Sequence, residues 1–424
     1  MRGRGPFGRL GRDHGDAPHR IRRHLRCRHT SPMYEPLLAG DEERGRHATN
    51  LELFLDLVFV FAVTQVAGVL ASSLTLEGFA QGLLLAWLVW WLWSQFTWLG
   101  TAVDLEDRTA AQFQVLATIP LTLLMAVSIP GAFGASGLQF AGAYLAVSLW
   151  ALAIQGWSLW RDPLQRSAWF RYVPLAILAP CVLVAGAFLE GNARMIVWTA
   201  VAVFDVGSAV AAGSRGREGS TEWAIDPVHF AERHALFVII SLGEVVVAIG
   251  TAATAVELSP AVGFGLLAAT AVACMFWWTY FGYVPAAMQR ILADAHGVDR
   301  GTLARNLFTF GHFPIVFGIV LYAVAAKHAV AHPGDPLGPG DLTVLAGGVA
   351  FFVGGLLNLQ WQAVRYLAPE RAVAVVGAAA LCLILGPAIS GALLLAVVAL
   401  VIGAMQAISL RRFERIQARN ATRS

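Results

Sequence analysis

The sequence predicts an all-α fold: a polytopic membrane helix bundle of about 12 transmembrane helices, set out as two parallel six-helix repeats. Three observations predict it. Of 424 residues, 57% are hydrophobic and only 13% are charged, about half the charge of a soluble domain, and the mean hydropathy is +0.63. Apolar runs of about 20 residues, the length that crosses a bilayer, recur along the chain. Basic residues gather at the two ends and in alternate loops, which is a topology signal and not a nucleic-acid surface.

Residues 1–46 carry eleven arginines and no apolar run. They lack the h-region of a cleaved signal peptide, and Arg22-Arg23 lacks the apolar segment of a twin-arginine signal. The composition predicts a disordered basic tail, able to meet anionic lipid headgroups, with Met33 as a candidate internal start. The first apolar run, NLELFLDLVFVFAVTQVAGV, follows at 50–69. Glu52 and Asp56 are four residues apart, so on a helix they share one face. The rest of the run is apolar on every side, as in a helix surrounded by lipid and other helices.

Further spans are predicted at about 79–100, 112–133, 138–157, 171–189, 193–212, 229–251, 260–282, 306–326, 341–361, 372–387 and 389–409. Gly386-Pro387 is the only break in the last hairpin, which leaves ten or eleven spans open. The chain divides into a first six-helix half at 47–212, a linker at 213–228, a second half at 229–410 and a basic tail at 411–424. With the N-terminal tail inside, the inner loops hold Arg108, Arg161, Arg166, Arg171, Arg215, Arg217, Arg290, Arg300, Arg305, Arg365 and Arg371; the outer loops hold Arg194 and Lys327. That bias requires an even number of spans, with both termini cytoplasmic in the inner membrane. The halves also match in order: Glu52 with Glu232, Trp93 with Trp277, Pro120 with Pro314, and Trp157–Arg161 with Trp361–Arg365. Six spans per half give parallel repeats about an axis along the membrane normal.

Two motifs are distinctive together: E-L-F-L-D-L-V-F-V-F-A at 52–62, and A-E-R-H at 231–234 followed by S-L-G-E at 241–244. The chain resembles the bacterial low temperature requirement protein A (LtrA) family over about residues 44–410. The resemblance implies a multi-pass membrane protein connected with growth in the cold. It carries no catalytic residues over.

Charges inside spans are the other signal, since each costs a few kcal/mol in hydrocarbon unless paired or wetted. Arg233 in span 7 faces Glu52, Asp56 and Glu232 from the same end, and an ion-pair clamp of Arg233 with Glu52 and Glu232, or with Asp56, is the expected use. Glu244, Asp205 and Asp56 are the candidate coupling acids. Arg233 and Glu244 are eleven residues apart, about 20° around a helix and roughly 16 Å along it, so both should face the bundle. Glu244 follows Gly243, which would let a backbone or ligand come close. Asp205 reads rather as a protonated acid with one hydrogen bond.

His234 and His312 are candidate relay or ligand groups, His312 doubling as a core histidine at a Pro314 kink. Trp87, Trp91 and Trp98 share one face of span 2. They would serve as a cation platform or, more commonly, as packing and lipid-facing aromatics. The four cysteines read as buried thiols, with no disulfide framework. No metal or cofactor is called for: His229 and His234 are five apart, missing the i, i+4 zinc geometry, and H-E-x-x-H, G-x-S-x-G and P-loop patterns are absent. The expected function is a proton- or ion-coupled transporter of a small molecule, its partners being membrane lipids and that solute. A lipid-modifying membrane enzyme, or a non-transporting sensor or scaffold, is the alternative.

Overall fold

The computed structural model describes residues 45–102, 109–160, 163–215 and 225–421. The tail at 1–44 and the loop arginines Arg108, Arg161 and Arg217 lie outside the described residues. Every element among the described residues is helical. The first six helices are α1 (Asn50–Ser72), α2 (Leu76–Ala102), α3 (Thr109–Ser128), α4 (Gly137–Leu159), α5 (Pro163–Ala187) and α6 (Gly191–Arg215). The chain continues with α7 (Pro227–Thr254), α8 (Pro260–Phe281), two short helices α9 (Val284–Asp294) and α10 (Gly297–Leu303), and then α11 (Gly311–Ala331), α12 (Pro339–Val364), α13 (Pro369–Leu385) and α14 (Gly391–Ala421).

The helix starts follow from local chemistry. Thr49 caps α1 as half of a capping box, its side chain taking the Glu52 amide while the Glu52 carboxylate takes the Thr49 amide. Asp226 accepts from the amides of Val228 and His229 ahead of Pro227, whose fixed φ suits the first helical position. Ser259 and Pro260 repeat that arrangement for α8.

Eleven helices among the described residues are long and apolar enough to cross a membrane, and α5 contributes a shorter apolar stretch, Val173–Ala187. In the packing α5 also runs from one face of the bundle to the other. At its start Trp169 lies against Gly156 near the end of α4. At its finish the carbonyls of Ala187 and Leu189 meet Arg194, which also binds Ala132 and Gly134 beyond α3. The ends of α5 are therefore at opposite faces of the bundle, and α1 and α7 begin on the same face. The last hairpin is two spans, since a 3₁₀ turn at Gly386–Ala388 separates α13 from α14.

Span 9 departs from the sequence expectation of 306–326. Its α-helix runs from Gly311 to Ala331, and the preceding Ala304–Phe310 is wound as a π-helix. Pro314 has no N–H to give the carbonyl of Phe310 one turn back, and a widened turn is the usual response to such a defect. This span is also the most buried, 83% of its apolar window lying inside the bundle.

Within α1–α6, α1 lies against α2 and α3, then α3 pairs with α4, α4 with α5, α5 with α6, and α6 returns to α2. Within the second set, α7 lies against α8 and α11, then α11 pairs with α12, α12 with α13, α13 with α14, and α14 returns to α8. The two sets meet where α1 and α2 touch α7 and α11.

The closest helix pair is α11 with α12. A Cβ on Gly318 would stand 2.5 Å from the Phe352 amide nitrogen and 2.7 Å from the Gly348 carbonyl oxygen, so only glycine permits that approach. Gly318→Ala is expected to cost about 1–3 kcal/mol of stability through overpacking, read as a lower melting temperature in detergent. Gly354→Ala, where a Cβ would meet nothing within 4 Å, should leave it unchanged.

Candidate functional site

Where the two sets of helices meet, four ionisable side chains are buried together. Glu52 and Asp56 are four apart on α1, His229 and Arg233 four apart on α7, and the two parallel helices present these pairs to each other as rungs. Arg233 Nη1 donates to Glu52 Oε1 at 2.7 Å, Nη2 to Asp56 Oδ1 at 2.6 Å and Nε to Asp56 Oδ2 at 3.2 Å. His229 Nε2 lies 3.0 Å from both Glu52 oxygens. Trp93 of α2 donates its indole N–H to Asp56 Oδ1 at 2.7 Å. Thr49 gives Glu52 Oε2 its amide at 3.0 Å and its hydroxyl at 3.1 Å. All four carboxylate oxygens are thereby satisfied, which is what makes such burial tolerable. Each of the four side chains is no more than 1% exposed.

Gly100 completes the wall, since any Cβ there would run into Glu52 Oε1. A strap at residues 45–49 crosses the end. The Arg46 guanidinium donates to the Gly100 carbonyl, and the Arg46 amide to Asp226 Oδ2 at 2.9 Å.

Glu232 stands apart from this cluster. It accepts from the Ala48 amide at 2.9 Å and meets His47 Nδ1 at 3.1 Å, its side chain 35% exposed. Adjacent helical residues point about 100° apart, so Glu232 and Arg233 cannot both face α1. Asp56, by contrast, joins Arg233 directly.

Beside the cluster, His234 sits among Trp93, Trp90, Phe230 and Phe308, with ring centroids 4.8–6.0 Å away. The His312 ring is 5.2 Å from it. His234 Nδ1 lies 2.8 Å from the Phe230 carbonyl, and His312 Nδ1 lies 2.9 Å from that of Leu307. Carbonyls only accept, so both Nδ1 atoms carry hydrogen, and His312 Nε2 accepts from the Tyr280 hydroxyl at 2.8 Å.

The remaining candidates lie elsewhere. Glu244 is half-buried, with the Thr64 hydroxyl of α1 as its neighbour. Gly243 beside it faces open space, so no backbone packs close there. Asp205 is buried on α6, and its Oδ2 lacks the hydrogen bond expected of it. Trp87 and Trp91 stack with each other, Trp87 also with Phe310, and Trp98 donates to Thr309 Oγ1 at 3.0 Å; all three are half-buried packing groups. Cys382 is buried, but Cys181 and Cys274 are exposed on outward helix faces, because an apolar run has lipid-facing sides too. No group of three or more metal-binding side chains occurs among the described residues.

Sequence reasoning missed His229 and Trp93 as partners. His229 stands one turn before Arg233 on the same face, a signal available in the spacing. Trp93 is 37 residues from Asp56 on an antiparallel neighbour, where no local pattern points.

The model of the bacterial low temperature requirement A protein (LtrA) family matches residues 47–407. The chain belongs to this family. It is 31% identical over 290 residues to an uncharacterized protein of Rhizobium meliloti (strain 1021), covering 66% of this chain and 69% of that protein. No solved structure matches. The LtrA match begins at the strap that closes the cluster and takes in all of its charged residues.

Arg233→Ala would leave two buried carboxylates without their cation. It should lower stability by about 3–5 kcal/mol, measured as lost yield and melting temperature in detergent. Adding Asp56→Asn should recover part of that loss, with a coupling of about 0.5–3 kcal/mol in the double-mutant cycle. Strictly additive effects would contradict the pairing.

Proposed function

We propose that this LtrA protein is an ion-coupled carrier of a small solute, in which two six-helix halves move against each other across the α1–α7 cluster. The observation that carries the reading is the location of the cluster. Buried ion pairs lie at the junction of two helix sets that repeat one packing order, α1 to α6 answering to α7, α8 and α11 to α14. That common order supports a duplication. The contact between halves is one-sided, with α11 at the centre beside α1 and α2 and no comparable place for α3. The halves would then be related by more than a simple two-fold axis.

The arginine asymmetry supports an inner-membrane setting with both termini cytoplasmic, which puts the cluster at the cytoplasmic end. Burial of the cluster favours a carrier over a lipid-modifying enzyme, whose acid has to meet its substrate. Glu244, deeper along α7 and half-buried with Thr64 of α1 as its neighbour, would act as the mid-span acid.

The test is extract-driven proton movement in liposomes holding the purified protein and a pH-sensitive dye. The wild type should acidify the lumen when a metabolite extract is added outside. Glu244→Gln should cut the rate roughly tenfold or more at an unchanged melting temperature, and Glu244→Asp should keep part of it. A fully active Gln variant would make Glu244 structural. No extract-dependent signal from the wild type would contradict the carrier.

A further inference from the structure

The α1–α7 cluster contains two carboxylates and one guanidinium. With His229 neutral it therefore carries one unbalanced negative charge, at a place where an uncompensated charge costs a few kcal/mol. His229 is the group able to correct this. Its Nε2 faces both Glu52 oxygens at 3.0 Å, and a carboxylate only accepts, so Nε2 carries a hydrogen. Its Nδ1 is the one polar atom of the cluster with no partner, on a side chain of 0% exposure.

We propose that the cluster is a binding site for a single proton, held on His229 Nδ1, and that this proton is the coupling ion; the word coupling rests on the carrier reading above, while the binding does not. The step forms one N–H bond and releases nothing: neutral imidazole becomes imidazolium, and two negative charges then face two positive ones. The other groups around His229 do not supply that charge. On α1 they are Glu52 and Asp56. On α7 they are Arg233, His234 and the capping Asp226, which binds the His229 amide at 3.1 Å. On α2, Gly100 lies against Glu52 and Arg233 and Trp93 binds Asp56, while His312 of α11 lies beyond His234. The strap adds Arg46, opposite Asp226 in charge, and His47, which is turned outward to Glu232.

The strap is also the way in. Thr49 covers Glu52 Oε2 through two hydrogen bonds, while residues 46–48 are held by contacts at the rim. A proton from water reaches His229 when residues 45–49 lift, and Arg233 remains bound to Asp56 meanwhile.

The test is nitrogen-15 NMR of the full-length protein, labelled at histidine, in lipid nanodiscs at about pH 6, just below the usual histidine midpoint. The wild type should show an imidazolium whose two nitrogens both bear hydrogen and whose signal is absent from His229→Gln. Asp56→Asn removes one negative charge, so in that variant the same histidine should become neutral at the same pH. A histidine that is neutral in the wild type and held to Glu52 by its hydrogen bond alone would show no change of protonation on Asp56→Asn. Should His229→Gln fail to accumulate, the change on Asp56→Asn makes the assignment by itself. A neutral His229 in the wild type at about pH 6 would overturn the proposal even if extract-driven proton movement is found. The imidazolium without any such movement would uphold the site and remove the carrier.

Discussion

Arg233, held between Glu52 and Asp56, is the contact on which the rest of the arrangement depends. A guanidinium inside a membrane bundle has to meet anions in a fixed plane, and a helix offers two of them about one turn apart, here at i and i+4. That requirement sets the register of α1 against α7 and their common direction. The two helices start side by side, which in turn requires an even number of crossings between those starts. Neighbours then adapt: position 100 has to be glycine, Trp93 has to aim its indole at Asp56, and Thr49 caps α1 while binding Glu52.

The second constraint is the irregular start of span 9. A π-helix frees backbone carbonyls that hydrocarbon would leave unsatisfied. Here Trp90 takes the Thr309 carbonyl at 2.7 Å, His312 takes that of Leu307, and Trp98 holds the Thr309 side chain. The tryptophans of α2 thus fasten the first helix set to the second, and the aromatic packing around His234 follows from that fastening. The charge cluster and the π-helix are neighbours, joined through Phe230 and Phe308, whose rings lie 5.3 Å apart.

Much of this was legible in the sequence because the bilayer enforces length and apolarity on every span. The pairing of Arg233 with α1 was legible too, since the cost of a lone buried charge leaves few alternatives. The capping box was written in Thr49 and Glu52 but is easily overlooked when the same glutamate serves an ion pair. Other features depend on tertiary context. Arg194 reads as an outer-loop cation, yet four backbone carbonyls from two segments, 132–134 and 187–189, enclose it. The π-helix has no local signature beyond Pro314. The short helices α9 and α10 lie between apolar runs and have no span-length signal.

The central claim is that the buried cluster locks two movable halves together, and a distance measurement across them tests it most directly. Spin labels at Phe188 and Leu258, both exposed in loops at the far end of the bundle, would report on the two halves by double electron–electron resonance. With the cluster intact a single narrow distance is predicted. With Glu52→Gln, Asp56→Asn and Arg233→Gln introduced together, so that no buried charge is left alone, a second distance should emerge in a protein that still folds. One unchanged distance in both proteins would contradict the account and leave the cluster as a static brace.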